Sequence, residues 1–440
     1  MFTPRKTILN RPSGALRAGA NHLTMPLPRE TGVTGATSVF DLVIAGAGPS
    51  GLALAAAVKQ AMGSGVSIAL IDPAPAPAAG GPRLRTVAIA EGPRRLIQRI
   101  GAWEAIEPKA QPILAMAITD GEARDALRPT HLHFDAKSSG PLAHMAFNDD
   151  VVGALAALCD RLGVQRLQAS VAQWLPGRRI ATLTLADDRS LRARLAVAAD
   201  GARSKLSRLA DIATVGWDYD QAGLVATIAH ERDHQGRAEQ HFLPSGPFAI
   251  LPLPGRQSSI VWNERRADAG ALLKLAPEDL KRELEFRFTP KLGEISLASP
   301  IEAFPFRFQV ARRFVGERLA LIGDAAHVVH PLAGQGLNLG LRDVAALAET
   351  IVGQMRLGLD PGAPGPLETY ERRRRFDVAA SGLGLDALNR LFSNDVAALR
   401  FLRDLGLRIV DRAPALKDML IAEAGGAGAA APKLLRGLAL

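Results

Sequence analysis

The sequence predicts an α/β chain, α+β overall, in which a parallel-sheet domain is interrupted by an antiparallel block and closed by a helical C-terminal region. Three observations carry that expectation. A strand, a glycine-rich turn, a helix and a second strand follow one another from Phe40 to Ile71, which is a βαβ unit. Residues 222–264 alternate apolar and polar side chains around Pro252, Pro254 and Gly255, the pattern of an antiparallel hairpin. A further apolar strand at Arg318–Ile322 then leads into a second glycine-rich loop and a long helix, so the first pattern resumes far downstream.

Phe40–Ala45 is a short apolar run ending in glycines, as a strand buried on both faces requires. Pro49–Met62 is rich in Ala and Leu and reads as a helix, and Val66–Ile71 as the second buried strand. Pro73–Pro82 is a loop by its Pro, Ala and Gly content. Arg94–Trp103 reads as helix, Leu114–Thr119 and His131–Phe134 as strands, Asp149–Leu162 as helix and Leu191–Ala199 as a buried strand. Glu278–Arg287 is a polar helix, the helix after the second glycine loop runs to about Met355, and the chain from residue 366 is mostly helical. These elements place residues 39–112, 142–212 and 302–365 in the parallel-sheet domain, 113–141 and 213–301 in the inserted antiparallel domain, and 366–440 in the helical region. Residues 1–38 carry four early cations and no acid before Glu30, and lack the apolar core of a secretory signal. They read as a disordered tail, or as the product of a start site placed ahead of Met25.

Composition narrows the function. Of 440 residues, 48% are hydrophobic and 22% charged, the profile of a globular protein with a sizeable core. A single cysteine, Cys159, excludes an internal disulfide and a cysteine metal site and fits a reducing compartment. The net charge of +9 comes from scattered arginines with one dense run, Arg372–Arg375, and no zinc-finger or RNP-like pattern accompanies it, so nucleic acid is not an expected partner. No apolar run approaches the roughly 20 residues of a spanning helix.

The chemistry sits in three motifs. In Gly46-x-Gly48-Pro49-x-Gly51 the first glycine permits a tight turn, the second lets backbone approach a pyrophosphate, and the third lets helix pack on strand. Alone the pattern is weak, but here it follows a strand, opens a helix, and is joined by Asp72, 21 residues beyond Gly51, where a ribose-binding acid belongs. The second is Asp200-Gly201-Ala202-Arg203-Ser204 after the strand 191–199. The third runs from Gly323-Asp324-Ala325-Ala326-His327 to His330-Pro331-Leu332-Ala333-Gly334-Gln335-Gly336-Leu337-Asn338. A carboxylate there can accept from sugar-like hydroxyls, and N–H groups at a helix start can hold carbonyl or anionic oxygens.

Together the motifs resemble the FAD-dependent aromatic hydroxylases of the para-hydroxybenzoate hydroxylase class. The string GDAAHVVHPLAGQGLNLGLRDV, with AIAEGPRRLIQRIGAW at 88–103 and GPFAILPLPGRQSSIVWNE at 246–264, is similar to the ubiquinone-biosynthesis hydroxylases of the UbiH/UbiF type over residues 38–425. The resemblance implies a Rossmann-like FAD domain of the glutathione-reductase type with an inserted substrate domain. It also implies hydroxylation of a polyprenylated phenol or quinol through a flavin C4a-hydroperoxide, with O2 as co-substrate and NADPH or NADH as donor. By position, Gly46, Gly48, Pro49 and Gly51 would meet the pyrophosphate, Asp72 the adenosine ribose and Asp324 the ribityl chain. Arg85, Asp200 and Gly323 would contact FAD, and Pro331, Gly334, Gly336, Leu337 and Asn338 would border the isoalloxazine. The middle motif departs from its usual Asp-Gly-x-x-Ser-x-x-Arg, since Ser207 holds the last place and Arg208 follows; that leaves the electron donor open. Phe147 stands where relatives often carry Glu, and residues 73–84 are reshaped, without the Asp usual before the arginine.

Few side chains need do acid–base work in such a reaction, and no residues have metal spacing. His327 and His330 flank the flavin loop and serve either as acid–base groups or, the preferred reading, as hydrogen-bonding supports of the loop. Trp262 is either a wall of the substrate cavity or a sheet-core aromatic. Arg307 reads as structural. Residues 384–417 combine leucines with Arg390, Arg400, Arg403 and Arg408, and either pack on their own domain or meet a membrane or partner. The resemblance implies a cytoplasmic protein with a place in a biosynthetic complex and peripheral contact at the inner face of the plasma membrane. A soluble phenol hydroxylase of another pathway and a non-catalytic FAD-binding scaffold are the competing readings.

Overall fold

The computed structural model describes residues 39–74, 85–121, 130–136, 140–288, 290–330 and 334–392, with 413, 417, 425, 426, 428 and 430–440. The expectations for residues 1–38, for most of Pro73–Pro82, for Pro331 and for most of 384–417 lie outside these residues.

The first layer is an eight-stranded sheet. Five of its strands run parallel in the order Leu319–Leu321, Ser190–Ala198, Val39–Ala45, Ile68–Asp72, Gln165–Gln168. Ala181–Leu185 and Val171–Leu175 add an antiparallel flap to Ser190–Ala198. Leu42, Val43 and Ile44 are fully buried, as are Ala196 and Val197 beside them, so both sheet faces are covered and the strands read as unbroken apolar runs. The covering helix Pro49–Met62 has Pro in its first turn and Gly63 (φ 58°) after its last. Its buried side packs on helices Gln335–Arg356 and Asn148–Arg161. Cys159 lies in this core, and burial pushes its thiol up to about 12.

The second layer is a nine-stranded, mostly antiparallel sheet. Its order is His327–Val328, Glu302–Ala311, Thr214–His230, Gln257–Arg265, Gly246–Leu253, Arg237–Leu243, Ala115–Asp120, Thr130–Asp135, with Ile295–Leu297 beside Thr214–His230. Strand period two sends Leu224, Ile260 and Trp262 to one face, where Leu280 and Leu284 of the helix Pro277–Arg287, with Phe288 just after it, cover them. A three-stranded sheet of Thr86–Ala90, Ala143–Phe147 and Gln111–Ile113 stands between the layers. It is tied to the nine-stranded sheet by Thr86 Oγ1 on Ser259 Oγ (2.8 Å) and by packing of Ile113 and Met145 on Leu253.

Two expectations shift. Glu302–Ala311 pairs along Thr214–His230, so the antiparallel block runs past residue 301. The helix expected over Arg94–Trp103 covers Glu91–Arg99 and ends in a turn at Gly101 (φ 84°), where the N–H groups of Gly101 and Ala102 return to Gln98 and Ile97. Helix Pro364–Phe392 closes the described core by lying on Gln335–Arg356. Among the described residues no helix is long and apolar enough to cross a membrane, and no group of His, Cys, Asp or Glu is arranged to hold a metal.

Candidate functional site

The three motifs meet at the carboxyl ends of the parallel strands. Gly46 (φ 113°) lies so close to the second motif that an added Cβ would stand 2.2 Å from Ala199 O and 2.7 Å from Asp200 N. A Cβ on Gly51 would stand 2.0 Å from Gly46 O, so this glycine is required by its own turn as well as by the strand behind it. A Cβ on Gly48 meets nothing within 4 Å, so the backbone there faces open space. The helix that follows has no side-chain cap, and its first N–H groups have no partner within the helix. Asp72 sits beside this turn. Its Oδ2 accepts from Ala47 N (2.6 Å) and its Oδ1 from Ala74 N (2.8 Å), which fixes the turn and leaves lone pairs on both oxygens.

In the second motif Asp200 Oδ2 accepts from Lys205 N (2.7 Å) and Leu206 N (3.3 Å), and Ser204 Oγ caps the same short helix through Ser207 N (3.0 Å). Arg208 turns back onto the carbonyl of Ser204. In the third motif Gly323 (φ 58°) and Gly340 both press on Ser50, since added Cβ atoms would stand 3.0 and 2.7 Å from its Oγ. One serine of the first motif thus spaces both ends of the third. Asp324 is exposed, yet protein crowds close around its carboxyl. This partial desolvation raises its carboxyl above the ordinary range, opposed by His327 and Arg85 and helped by Asp343. Arg85 stands over the Phe304 ring at 5.2 Å.

Gly334 caps the helix Gln335–Arg356 in the left-handed conformation (φ 62°), again with no side-chain cap, which leaves the N–H groups around Gly336 and Leu337 without helical partners. The Asn338 side chain points elsewhere. Its Oδ1 accepts from Ala90 N and its Nδ2 donates to Ala88 O, both at 2.9 Å, so it locks this helix onto strand Thr86–Ala90.

The two histidines divide. His327 is buried and donates from Nε2 to Asp343 Oδ2 (2.7 Å). The same oxygen accepts from Gly323 N (2.8 Å), and Asp343 Oδ1 accepts from Arg374 Nε (2.6 Å). Arg374 also pairs with Asp377. Burial works to raise the Asp343 carboxyl, but His327 and Arg374 outweigh it and hold it below the usual range. His330 packs edge-on against Tyr219 (5.0 Å) and Phe306 (4.8 Å), and desolvation lowers it to about 4, with Asp386 opposing. His330 is therefore neutral near pH 7. Sequence reasoning missed Asp343 and Arg374. The available signal was an ionisable pair, Arg342-Asp343, inside an otherwise apolar helix, which requires a partner.

Trp262 lies in the sheet core. It is fully buried among the helix-side residues, donates from Nε1 to Glu264 Oε1 (2.7 Å) and carries Arg287 over its ring at 4.2 Å. The opposite face of this strand carries Ser259 and Asn263, and Ser259 bonds Thr86, the neighbour of Arg85. Arg307 makes a two-point pair with Asp218 on the neighbouring strand (2.7 and 3.3 Å).

Residues 39–381 match the model of the FAD binding domain family. The chain is 42% identical to the ubiquinone hydroxylase UbiL of Rhodospirillum rubrum over 94% of this chain and 97% of that one. The chain belongs to the FAD-dependent ubiquinone-hydroxylase family. It is also 33% identical to the 3-demethoxyubiquinol 3-hydroxylase of Escherichia coli, over 88% of this chain and 98% of that one. Among solved structures, p-nitrophenol 4-monooxygenase PnpA from Pseudomonas putida superposes with a TM-score of 0.72 at 18% identity, covering 88% of this chain and 98% of its own, which reports the fold.

The residues fit the family's cofactor. Gly48 leaves room that a side chain would fill, two helix N-termini lack side-chain caps, and the carboxylates of Asp72 and Asp324 could accept from hydroxyls. Members of this family are FAD monooxygenases, and FAD is this chain's cofactor.

Proposed function

We propose that this protein hydroxylates the ring of a polyprenylated phenol or quinol in ubiquinone biosynthesis, with O2 as co-substrate and NADPH or NADH as electron donor. The observation that carries the reading is the convergence of the three motifs at one strand edge, facing an antiparallel sheet, in a chain 42% identical to a protein named a ubiquinone hydroxylase. The five-stranded parallel sheet with its antiparallel flap supports a Rossmann-like domain of the glutathione-reductase type. Bound FAD supplies the redox and oxygen chemistry.

The protein's part is to bind, orient and exclude water. Gly46, Gly48, Pro49 and Gly51 hold the pyrophosphate at a helix start, and Asp72 takes the adenosine ribose on the lone pairs its own turn leaves. Asp324 receives the ribityl hydroxyls, with Arg85 and Asp200 beside the cofactor. Gly334, Gly336, Leu337 and Asn338 would offer backbone at the ring's edge, with Gly323 beside the cofactor. His327 supports the loop through Asp343, and neutral His330 lines it as part of an aromatic surface. The basic, apolar C-terminal stretch supports contact with a membrane surface at the cytoplasmic face or with other enzymes of the pathway.

The test is a mass-spectrometric quinone profile of a strain lacking the gene. The expected result is a fall in ubiquinone and accumulation of an intermediate short of one hydroxyl. Unchanged ubiquinone in a strain with no second such hydroxylase would leave an FAD enzyme for another phenol. Purified protein that shows no oxygen-dependent NAD(P)H oxidation with any phenol would instead be a scaffold.

A further inference from the structure

One buried polar atom on the face turned to the motifs has no partner. Asn263 is 3% exposed, and no donor among the described residues reaches its Oδ1. The strand Gln257–Arg265 pairs without a bulge along Thr214–His230, so Asn263 shares its face with Ser259, which bonds Thr86 next to Arg85. Gly223 is its register partner, and a Cβ on Gly223 would stand 3.7 Å from the orphan oxygen and 2.5 Å from the Phe306 ring. Phe306 in turn packs on His330 at the start of the flavin loop. On its other side a Cβ on Gly246 would stand 2.9 Å from Asn263 Cβ. Two glycines therefore keep side chains away from a lone acceptor that is walled by aromatic rings.

An acceptor left unsatisfied in such a place is destabilising, a penalty that a ligand's donor removes. We propose that Asn263 is a specificity residue whose amide oxygen accepts the ring hydroxyl of the substrate, with Phe306 and Phe304 flanking the aromatic ring. Asn accepts this hydrogen bond without taking the proton, so the ring is oriented as the neutral phenol. The inference rests on the phenol hydroxylase reading of the site.

The experiment uses full-length FAD-loaded protein and two probes, a short-tailed prenylphenol and its O-methyl ether. Dissociation constants are read from the change in flavin absorbance. Wild type should bind the phenol about tenfold tighter than the ether, the scale of one neutral hydrogen bond. Asn263→Leu, close in size, should lose that preference by weakening the phenol alone, with flavin content unchanged. Equal binding of the two probes by wild type overturns the assignment without needing any variant to fold. An Asn263→Leu protein that keeps its flavin and still prefers the phenol overturns it too. If wild type binds neither probe and no phenol stimulates NAD(P)H oxidation, the phenol hydroxylase reading fails and this inference falls with it.

Discussion

A methyl group added at Gly51 would stand 2.0 Å from Gly46 O, whereas one added at Gly48 would meet nothing within 4 Å. The two glycines of one turn are thus required for different reasons, and the difference is measurable. Gly51→Ala must push helix from strand, and should lower the stability of the apo-protein by about 1–3 kcal/mol in urea denaturation. Gly48→Ala should leave the apo-protein as stable as wild type while weakening FAD binding by about tenfold or more, as loss of a charge-assisted contact would. Normal FAD affinity in Gly48→Ala would mean that no phosphate approaches this backbone. His330 gives a pH prediction of definite sign. Burial lowers it from 6.5 to about 4, so between those values the unfolded chain binds a proton that the folded chain refuses. Its contribution is constant above about pH 6.5, and stability falls by about 1.4 kcal/mol for each pH unit from there down to about 4. His330→Phe should flatten that part of the profile of stability against pH, and an unchanged slope would assign the effect to other groups.

At the scale of elements, Asp343 joins three of them. Its carboxylate takes the Gly323 N–H at the head of the flavin motif, His327 four residues on, and Arg374 from the helix Pro364–Phe392. Removing one partner of a buried pair strands the other, so Asp343→Ala and Arg374→Ala should each lose about 3–5 kcal/mol. The double variant should lose less than the sum, since the second removal strands nothing new. Strict additivity in chemical denaturation would show that the two groups do not act as a unit. This network was not legible in the sequence, where Arg374 reads as one of four surface arginines and Asp343 as a polar break in an apolar helix. The parallel strands were legible, because burial on both faces leaves an apolar run such as Leu42-Val43-Ile44 with one interpretation. The strands Thr86–Ala90 and Ala143–Phe147 were not, because they are short, mixed in polarity and stabilised by each other across 52 intervening residues. The glycine motifs could be located from local sequence alone, but Trp262 could not. A strand's two faces are told apart only by what covers them, and its cover comes from the helix Pro277–Arg287.

At the scale of the molecule, the parallel sheet is assembled from residues 39–72, 165–198 and 319–321, with the second layer threaded between. Such a sheet closes only when distant segments arrive together. Each of these segments carries or leads directly into one of the motifs, and Arg85 and Gly334 come from further stretches of chain. FAD would therefore contact every segment whose arrival completes the fold, and would bind the unfolded chain hardly at all. Linkage then requires that free FAD at 100 times its dissociation constant stabilise the native state by about 2.7 kcal/mol, and that the melting temperature rise with the logarithm of FAD concentration. The apo-protein should melt lower than the holo-protein at every concentration tested. Limited proteolysis should cut the apo-protein fastest near Gly323–Asp324 and Gly334, the turns proposed to hold the cofactor. AMP alone, which reaches only the turn at Gly46 and Asp72, should recover a small part of the shift. A melting temperature indifferent to FAD, in protein shown to bind it, would mean that the segments are already locked by packing and that the cofactor enters a finished site.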